Sequence, residues 1–176
     1  GRSRKITHRP WAGLALALAG RCFNENGQER LSIVTRLSDA FDEEHNPSYR
    51  SSYAIGLGLL NATSAGPKLL KVMRNEKEPS LRGYCAVALG MLCHRDARDA
   101  LREMVIDDTN PTLRLQVATA LGLMSDTEVV RTLVDGLRHA KTLSVVSSIA
   151  KALGLIGDRS AIEPLQDIIR NPKEPG

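Results

Sequence analysis

Aromatic residues are scarce in this chain: phenylalanine, tryptophan and tyrosine together make up 3% of its 176 residues. That scarcity excludes a domain organised around large aromatic side chains. Hydrophobic residues still amount to 42%, which is enough for a core, and alanine, leucine, valine and isoleucine suit thin layers of closely packed helices. Charged residues make up 25% without a long polar tract, which argues against disorder.

Cysteines and long apolar runs are also few. Cys22, Cys85 and Cys93 are an odd number at irregular spacing, so they predict neither a disulfide framework nor a metal site. We interpret them as small buried hydrophobes in a reducing compartment, which favours a cytoplasmic location. The apolar segment 11–20 (WAGLALALAG) is too short to span a membrane, and we predict a helix there.

Positive charge is concentrated at the start of the chain. The formal net charge is +4 and the sequence pI is about 9.2, values that permit a nucleic-acid partner. However, Arg2, Arg4, Lys5, His8 and Arg9 all lie in the segment 1–9, and the rest of the chain is nearly balanced. We therefore predict a basic N-terminal arm at 1–9 and regard nucleic acid as a secondary hypothesis.

An internal repeat is the main signal. Segments starting at residues 47, 79, 111 and 143 align without gaps, so the step is 32 residues. Identical residues recur at three positions: Ala54, Ala86, Ala118 and Ala150; Leu57, Leu89, Leu121 and Leu153; and Gly58, Gly90, Gly122 and Gly154. A glycine inside a helix costs about 1 kcal/mol relative to alanine. Four equivalent glycines therefore indicate that each helix is approached closely by the next one.

The segments between these blocks keep the same step. Leu37, Leu69, Leu101, Leu133 and Leu165 are equivalent, and each is followed three and four residues later by mostly apolar residues, as in an amphipathic helix. Each repeat therefore contains a first and a second helix, and no strand is expected. Pro47, Pro79 and Pro111 mark the starts of second helices, and Asn75 is expected to be a left-handed residue after a first helix.

These positions predict an all-α array over residues 10–171. Second helices are expected near 10–20, 47–61, 79–93, 111–124 and 143–156. First helices are expected near 28–41, 65–74, 95–106, 127–139 and 159–170. Residues 172–176 are interpreted as the truncated start of a further repeat, so that the chain is expected to be an excerpt of a longer protein.

The run ALGLIGDRSAIEPLQDIIRN at 152–171 resembles HEAT repeats of the short phycobilisome-lyase type, and the resemblance extends over about residues 27–171. It implies a right-handed α-solenoid of about five antiparallel helix pairs. It also implies that the second helices line the concave face. Enzymes exist on this fold, including bilin lyases and a metalloenzyme with His-Glu dipeptides.

Candidate catalytic groups are few. None of the four histidines is followed by glutamate, and no phosphate-binding loop, zinc-ligand spacing or nucleophile motif occurs. Cys93-His94 is the one adjacent thiol–imidazole pair, and its position at the end of a second helix favours a turn. We therefore expect no enzyme activity, no cofactor and no metal, with a bilin-lyase-like subunit as an alternative.

A polar ladder is predicted along the array. Glu44, Glu76 and Asp108 precede Arg50, Arg82 and Arg114 by six residues, and the next copy has Ala140 and Val146 instead. Joint loss favours a structural ion-pair ladder, because a single buried charge is costly. The alternative is a row of arginines that binds an anionic ligand.

The outward side of the second helices is the candidate binding surface. Its twelve positions are Ser51, Gly83, Leu115 and Ser147; Ser52, Tyr84, Gln116 and Ser148; and Ile55, Val87, Thr119 and Lys151. Lys151 is the one charged residue among them, whereas a nucleic-acid groove would be lined with Lys and Arg. We predict a groove that binds a protein, a peptide or a flanking domain of the same chain, formed by Ser52, Ile55, Tyr84, Val87, Leu115, Gln116, Thr119, Ser148 and Lys151. The alternative explanation is that these small residues only permit close packing.

Overall fold

The computed structural model describes residues 8–107, 110–140 and 142–170, and this part of the chain contains ten α-helices and no β-strand. The helices are α1 (Arg9–Gly20), α2 (Gln28–Glu43), α3 (Pro47–Leu59), α4 (Gly66–Asn75), α5 (Pro79–Met91), α6 (Arg98–Asp107), α7 (Pro111–Leu123), α8 (Val129–His139), α9 (Leu143–Ile156) and α10 (Ile162–Arg170). The prediction of an all-α fold is confirmed. Most of the predicted arm at 1–9, and all of 172–176, lie outside the described residues.

Helix ends differ from the sequence prediction by a few residues. Single 3-10 turns, Thr63–Ala65, Arg95–Ala97 and Arg159–Ala161, precede α4, α6 and α10, so these helices begin later than predicted. Second helices α3 and α5 end two residues earlier than predicted, because Asn61 and Cys93 have φ values of 50° and 48°. Ser125 has the same conformation, with φ 51°.

Each of these left-handed residues closes its helix with the same pair of backbone hydrogen bonds. After α3, the N–H of Ala62 donates to the carbonyl of Leu57 at 3.0 Å, and the N–H of Asn61 donates to Gly58 at 3.0 Å. The expectation of a left-handed Asn75 is wrong. Asn75 is the last residue of α4, and its amide donates to the Lys71 carbonyl at 2.9 Å.

The starts of the second helices are capped before the proline. The side-chain oxygen of Asn46 accepts hydrogen bonds from the N–H groups of Ser48 and Tyr49, and Asn110 caps α7 in the same way. Pro47 and Pro111 follow as the first helical residues, where no N–H is needed. The asparagine-proline pair therefore fixes where α3 and α7 begin.

The helices form two layers. The second helices α1, α3, α5, α7 and α9 pack side by side in chain order, and each of α2, α4, α6 and α8 packs on the second helix that follows it. The core lies between the layers. Its equivalent leucines are at most 2% exposed: Leu57, Leu89, Leu121 and Leu153 in the second helices, and Leu37, Leu69, Leu101 and Leu133 in the first helices.

The repeated glycines lie where neighbouring second helices touch. A Cβ added at Gly58 would be 3.1 Å from the Ala88 Cα, and one at Gly90 would be 2.6 Å from the Ala120 Cα. The predicted close approach of successive helices is therefore confirmed. Successive first helices contact each other much less along the described residues. The second-helix layer is therefore the more closely packed of the two layers.

The last second helix departs from this pattern. The alanine equivalent to Ala88 and Ala120 is Ala152, but a Cβ at Gly122 would meet the Leu155 carbonyl oxygen at 2.5 Å. Buried positions also change: Ser148 is 4% exposed, whereas Ala150 is only partly buried. α9 is therefore shifted and rotated relative to the second helices before it.

Candidate functional site

The exposed side of α3, α5, α7 and α9, which we call the second-helix surface, carries most of the predicted groove residues. Tyr84 is 42% exposed and Lys151 is exposed. The half-buried members of the predicted groove are Ser52, Ile55, Val87, Leu115, Gln116 and Thr119. Eight of the nine predicted groove residues are therefore exposed or half-buried on helices α3, α5, α7 and α9.

Three of the positions predicted to point outward are buried. Ser148 is 4% exposed, and its hydroxyl accepts a hydrogen bond from Arg114 Nη1, because the rotation of α9 turns it inward. Ser51 is also 4% exposed and donates to the Pro47 carbonyl at 2.8 Å. Gly83 is buried beneath Gln116, since a Cβ at Gly83 would overlap the Gln116 side-chain oxygen.

An apolar row that the sequence prediction missed completes this surface. Its members lie one helical turn after Ile55, Val87, Thr119 and Lys151, and they are Leu59, Met91, Leu123 and Leu155. Leu123 and Leu155 are 47% and 48% exposed, and Leu59 and Met91 are half-buried. The four-residue spacing after Ile55, Val87, Thr119 and Lys151 is the sequence signal for this row, but leucine and methionine at such positions are equally typical of a core.

Gln116 holds a central place on the second-helix surface. Its side-chain oxygen is buried and has no hydrogen-bond partner among the described residues. The hydroxyl of neighbouring Thr119 donates to the Leu115 carbonyl at 2.8 Å, so its hydrogen is already used within α7. The Thr119 methyl group is the part of the side chain that remains for contact with a partner. The middle of the surface therefore offers carbon atoms more than free hydroxyl groups.

The predicted arginine ladder joins successive repeats. Arg50 Nε donates to the Phe41 carbonyl at 3.1 Å, and Arg82 Nε donates to the Met73 carbonyl at 3.1 Å. Arg50 Nη1 also lies 3.4 Å from Glu76 Oε2, one repeat further on, instead of pairing with Glu44. Each arginine thus ties the end of a first helix to the start of a second helix.

The glutamates of the ladder fold back onto their own loops. Glu44 Oε1 accepts from the N–H groups of His45 and Asn46, both at 2.9 Å. Glu76 Oε1 accepts from Lys77 and Glu78 at 2.7 and 3.3 Å. These backbone donors, together with Arg50, lower the pKa of the Glu76 carboxyl below its ordinary value.

The remaining ladder members are arranged as follows. Asp108, the residue equivalent to Glu76 in the next repeat, lies outside the described residues. At the following step the equivalent residue is Ala140, and Arg114, which is 7% exposed, donates to Ser148. Because the guanidinium groups of Arg50 and Arg82 bond to carbonyls inside the array, their geometry favours the structural interpretation over a row that binds anions.

A second polar cluster was not predicted. Asp126, 3% exposed, accepts from Arg102 Nε and Nη2 at 3.1 and 2.7 Å. Arg102 also pairs with Glu128 at 2.7 Å, and its hydrogen bonds to Asp126 raise the pKa of the guanidinium. Position 126 is equivalent to Ala62, His94 and Asp158, so an aspartate occurs there in two of the four copies and does not mark every repeat. The cluster joins α6 to the turn after α7.

The three cysteines lie in different surroundings. Cys85 is buried, and burial raises the pKa of its thiol to about 12. Cys22 and Cys93 are exposed, so their interpretation as buried hydrophobes is wrong. Cys93 occupies a left-handed turn position, and the ring of the adjacent His94 packs against Gly66.

Two searches of the described residues give negative results. No group of three or more His, Cys, Asp or Glu side chains is arranged to hold a metal ion in this part of the chain. None of the helices described here has the length and apolar composition needed to cross a membrane.

The fold and the repeat together define the class of protein. Paired helices stacked in two layers at a fixed step form an α-solenoid. The family model for HEAT repeats matches residues 34–114 and 100–176. The chain therefore belongs to the HEAT-repeat family. No curated protein matches it significantly. HEAT repeats generally serve as scaffolds for protein–protein interaction.

Proposed function

We propose that this chain is a non-catalytic scaffold that binds a partner protein across the second-helix surface. The observation that carries the proposal is the apolar row formed by Leu59, Met91, Leu123 and Leu155 beside Ile55 and Val87. Its members are half-buried or exposed. Large apolar side chains that lie next to one another on a protein surface commonly mark interaction sites.

The composition of the surface supports a protein partner. Binding interfaces combine apolar and aromatic residues at the centre with few charges. Here Tyr84 is the exposed aromatic side chain near the centre, and Lys151 is the charged side chain among the predicted groove residues. A phosphate backbone would require many more cations than this surface offers. The partner is therefore expected to present apolar side chains from a helix or an extended segment.

The packing of the second helices makes the surface suitable for docking. Contacts between backbones at Gly58 and Gly90 hold α3, α5 and α7 in fixed positions relative to one another. A surface built on such helices needs little ordering when a partner binds, which lowers the entropic cost of association. The same packing places equivalent side chains in parallel rows, so one partner segment can contact several repeats.

The experiment uses a matched pair of variants. Leu123→Glu changes the apolar row, and Ile106→Glu changes α6 at a side chain of similar exposure, 41% against 47%. A photo-crosslinking amino acid at position 84 first identifies the partner, which is then purified and titrated. We expect Leu123→Glu to weaken binding at least about tenfold, or about 1.4 kcal/mol, while Ile106→Glu retains affinity.

Other results would reject the proposal. Unchanged affinity in Leu123→Glu, or equal losses in both variants, would show that the second-helix surface is not the binding site. Affinity that falls steeply with salt and disappears when residues 1–9 are removed would support the alternative of nucleic-acid or acidic-surface binding through the arm. Co-purification of a linear tetrapyrrole would support the bilin-lyase-like alternative.

A further inference from the structure

Gln116 is a polar side chain at the middle of the second-helix surface, and it lies across the neighbouring helix. A Cβ added at Gly83 of α5 would be 2.5 Å from the Gln116 Cδ and 3.1 Å from the Gln116 Cβ. It would also overlap the Gln116 side-chain oxygen. The missing side chain at Gly83 therefore allows the carboxamide of Gln116 to lie flat on α5.

This arrangement is found at one place among the described second helices. The residues equivalent to Gly83 are Ser51, Leu115 and Ser147, and those equivalent to Gln116 are Ser52, Tyr84 and Ser148. The Gln116 oxygen is buried and accepts no hydrogen bond from the described residues. A buried acceptor without a donor costs free energy, and most such acceptors in proteins are satisfied. The described part of the chain supplies no donor for this one.

Neighbouring polar groups on the surface are already used. The hydroxyl groups of Ser52 and Thr119 each donate to the carbonyl four residues earlier in the same helix. The main-chain N–H and C=O groups inside α5 and α7 bond to each other along the helix. A carboxamide carries an acceptor oxygen and a donor amino group side by side. Gln116 therefore offers a partner both halves of a hydrogen-bonded pair.

The carboxamide distinguishes between two kinds of partner segment. An α-helix uses its main-chain groups internally, so the apolar face of a helical partner would cover Gln116 and leave its oxygen without a donor. A segment in polyproline II conformation has no internal hydrogen bonds, and each of its non-proline peptide groups offers one donor and one acceptor. The terminal torsion of glutamine is broad, so the carboxamide can turn its oxygen towards such a peptide group.

We infer that the second-helix surface binds an extended segment whose main chain pairs with Gln116, an inference that rests on the proposed function of this surface. The segment crosses the second helices, and its side chains contact the apolar row at Leu59, Met91, Leu123 and Leu155. Packed helices lie about 8–10 Å apart. Every third residue of a polyproline II segment is about 9 Å further along the same side. The segment therefore carries an apolar side chain at about every third position.

Two peptide libraries displayed on phage and selected against the full chain test the inference. One library presents unconstrained peptides of about ten residues, which are about 31 Å long in polyproline II conformation and can cross four packed helices. The other library randomises one face of a stable helical hairpin. We expect binders from the unconstrained library, and Leu123→Glu should weaken their binding at least about tenfold.

A double-mutant cycle then locates the hydrogen bond. Each main-chain amide of the tightest unconstrained peptide is replaced in turn by an ester, which removes the N–H with little change in shape. Gln116→Met removes the carboxamide and keeps the length of the side chain. At one peptide position, the ester and Gln116→Met should each weaken binding about tenfold, and the two changes together should weaken it no further. Gln116→Met should not lower the Tm, since it removes a buried oxygen that has no donor.

Gly83→Ala tests the position of the carboxamide. The added methyl group displaces the Gln116 side chain from α5, and a raised side chain keeps the peptide main chain away from the surface. The affinity for the peptide should therefore fall, although alanine favours the helix. Ser52→Ala is the control, because the Ser52 hydroxyl is used within α3, and this variant should bind like the unmodified chain.

Several results would overturn the inference. One is the failure of the unconstrained library to yield a binder; hairpin binders that still require Leu123 would then leave the proposed function intact and show that the partner is helical. Another is an ester effect that is the same with and without Gln116→Met at every position, because no main-chain group would then pair with Gln116. Peptides that bind Leu123→Glu and the unmodified chain equally would contradict the proposed function as well.

Discussion

At the residue scale, Glu76 makes a link between repeats that depends on pH. Its carboxylate accepts from the N–H groups of Lys77 and Glu78 and lies 3.4 Å from Arg50. These donors lower the pKa of the Glu76 carboxyl in the folded state. The pKa of a glutamate in the unfolded chain is about 4.3. The stabilisation is fully present above the unfolded-state value and is lost as the pH falls through the lower folded-state value.

We therefore predict that Glu76→Gln reduces the free energy of unfolding at neutral pH and has less effect in acid. The measurement is urea unfolding of both proteins at several pH values from neutral to strongly acidic. The difference between them should shrink as the pH falls, because the wild-type carboxyl becomes protonated. Glu103→Gln, a change on the exposed side of α6, is the control. A difference that stays constant with pH would contradict the assignment.

The ladder shows what sequence spacing could not establish. The six-residue spacing between Glu44 and Arg50 predicted a ladder of ion pairs along the array. It did not determine which carboxylate each arginine contacts, and Arg50 contacts Glu76 of the next repeat. Under this pairing the position that would partner Arg114 is Ala140. The loss of both the carboxylate and the arginine in the fourth copy therefore no longer corresponds to the loss of one ion pair. Ser148, turned inward by the rotation of α9, accepts from Arg114 instead.

At the scale of the element, the equivalent glycines occupy two different environments. A Cβ at Gly90 would be 2.6 Å from the Ala120 Cα and 2.8 Å from the Ala120 carbonyl oxygen, both backbone atoms that cannot move aside cheaply. A Cβ at Gly154 would meet nothing within 4 Å. The same substitution by alanine therefore has opposite effects at the two positions.

We predict that Gly154→Ala raises the free energy of unfolding by up to about 1 kcal/mol, through the helix propensity of alanine. Gly90→Ala gains the same propensity but forces α5 and α7 apart, and overpacking costs about 1–3 kcal/mol. Equilibrium denaturation of both variants measures the difference. Stabilisation by both substitutions would show that the second helices can separate without cost.

The helices themselves were predictable because each has a repeated signal. The 32-residue step, the leucines and the prolines located both helices of each repeat to within a few residues. Their exact ends depended on backbone conformations that the residue types do not impose. Cys93 and Ser125 adopt left-handed φ values that glycine would favour, whereas Asn75 remains helical. The caps at Asn46 and Asn110 were also not predicted, because the equivalent residue before α5 is Glu78, which makes no side-chain cap.

At the scale of the whole molecule, the sequence predicted the stack but not its irregular end. The 32-residue step predicted that Ser148 lies on the same surface as its equivalents Ser52 and Tyr84. In the structure, α9 is rotated relative to the earlier second helices, so that Ser148 is buried and Ala150 is only partly buried. Rotation of a helix depends on contacts with all its neighbours, and no local pattern in α9 records it. The apolar row at Leu123 and Leu155 was missed for a related reason, since a leucine pattern does not distinguish core from surface.

Stability in such an array should vary along its length. In a solenoid each repeat contacts only its neighbours, so terminal helices open at a lower free energy than central ones. Helix α5 has seven buried residues and packs on helices at both sides, whereas no residue of α10 is buried. Hydrogen exchange measured by mass spectrometry on a dilute sample should therefore show the slowest amides in α5 and the fastest helical amides in α10.

Equal protection of α10 and α5 at low concentration would contradict the prediction, because it would mean that the whole array opens as one cooperative unit. Exposure of Ile169 would then have no measurable effect on the stability of the end of the array.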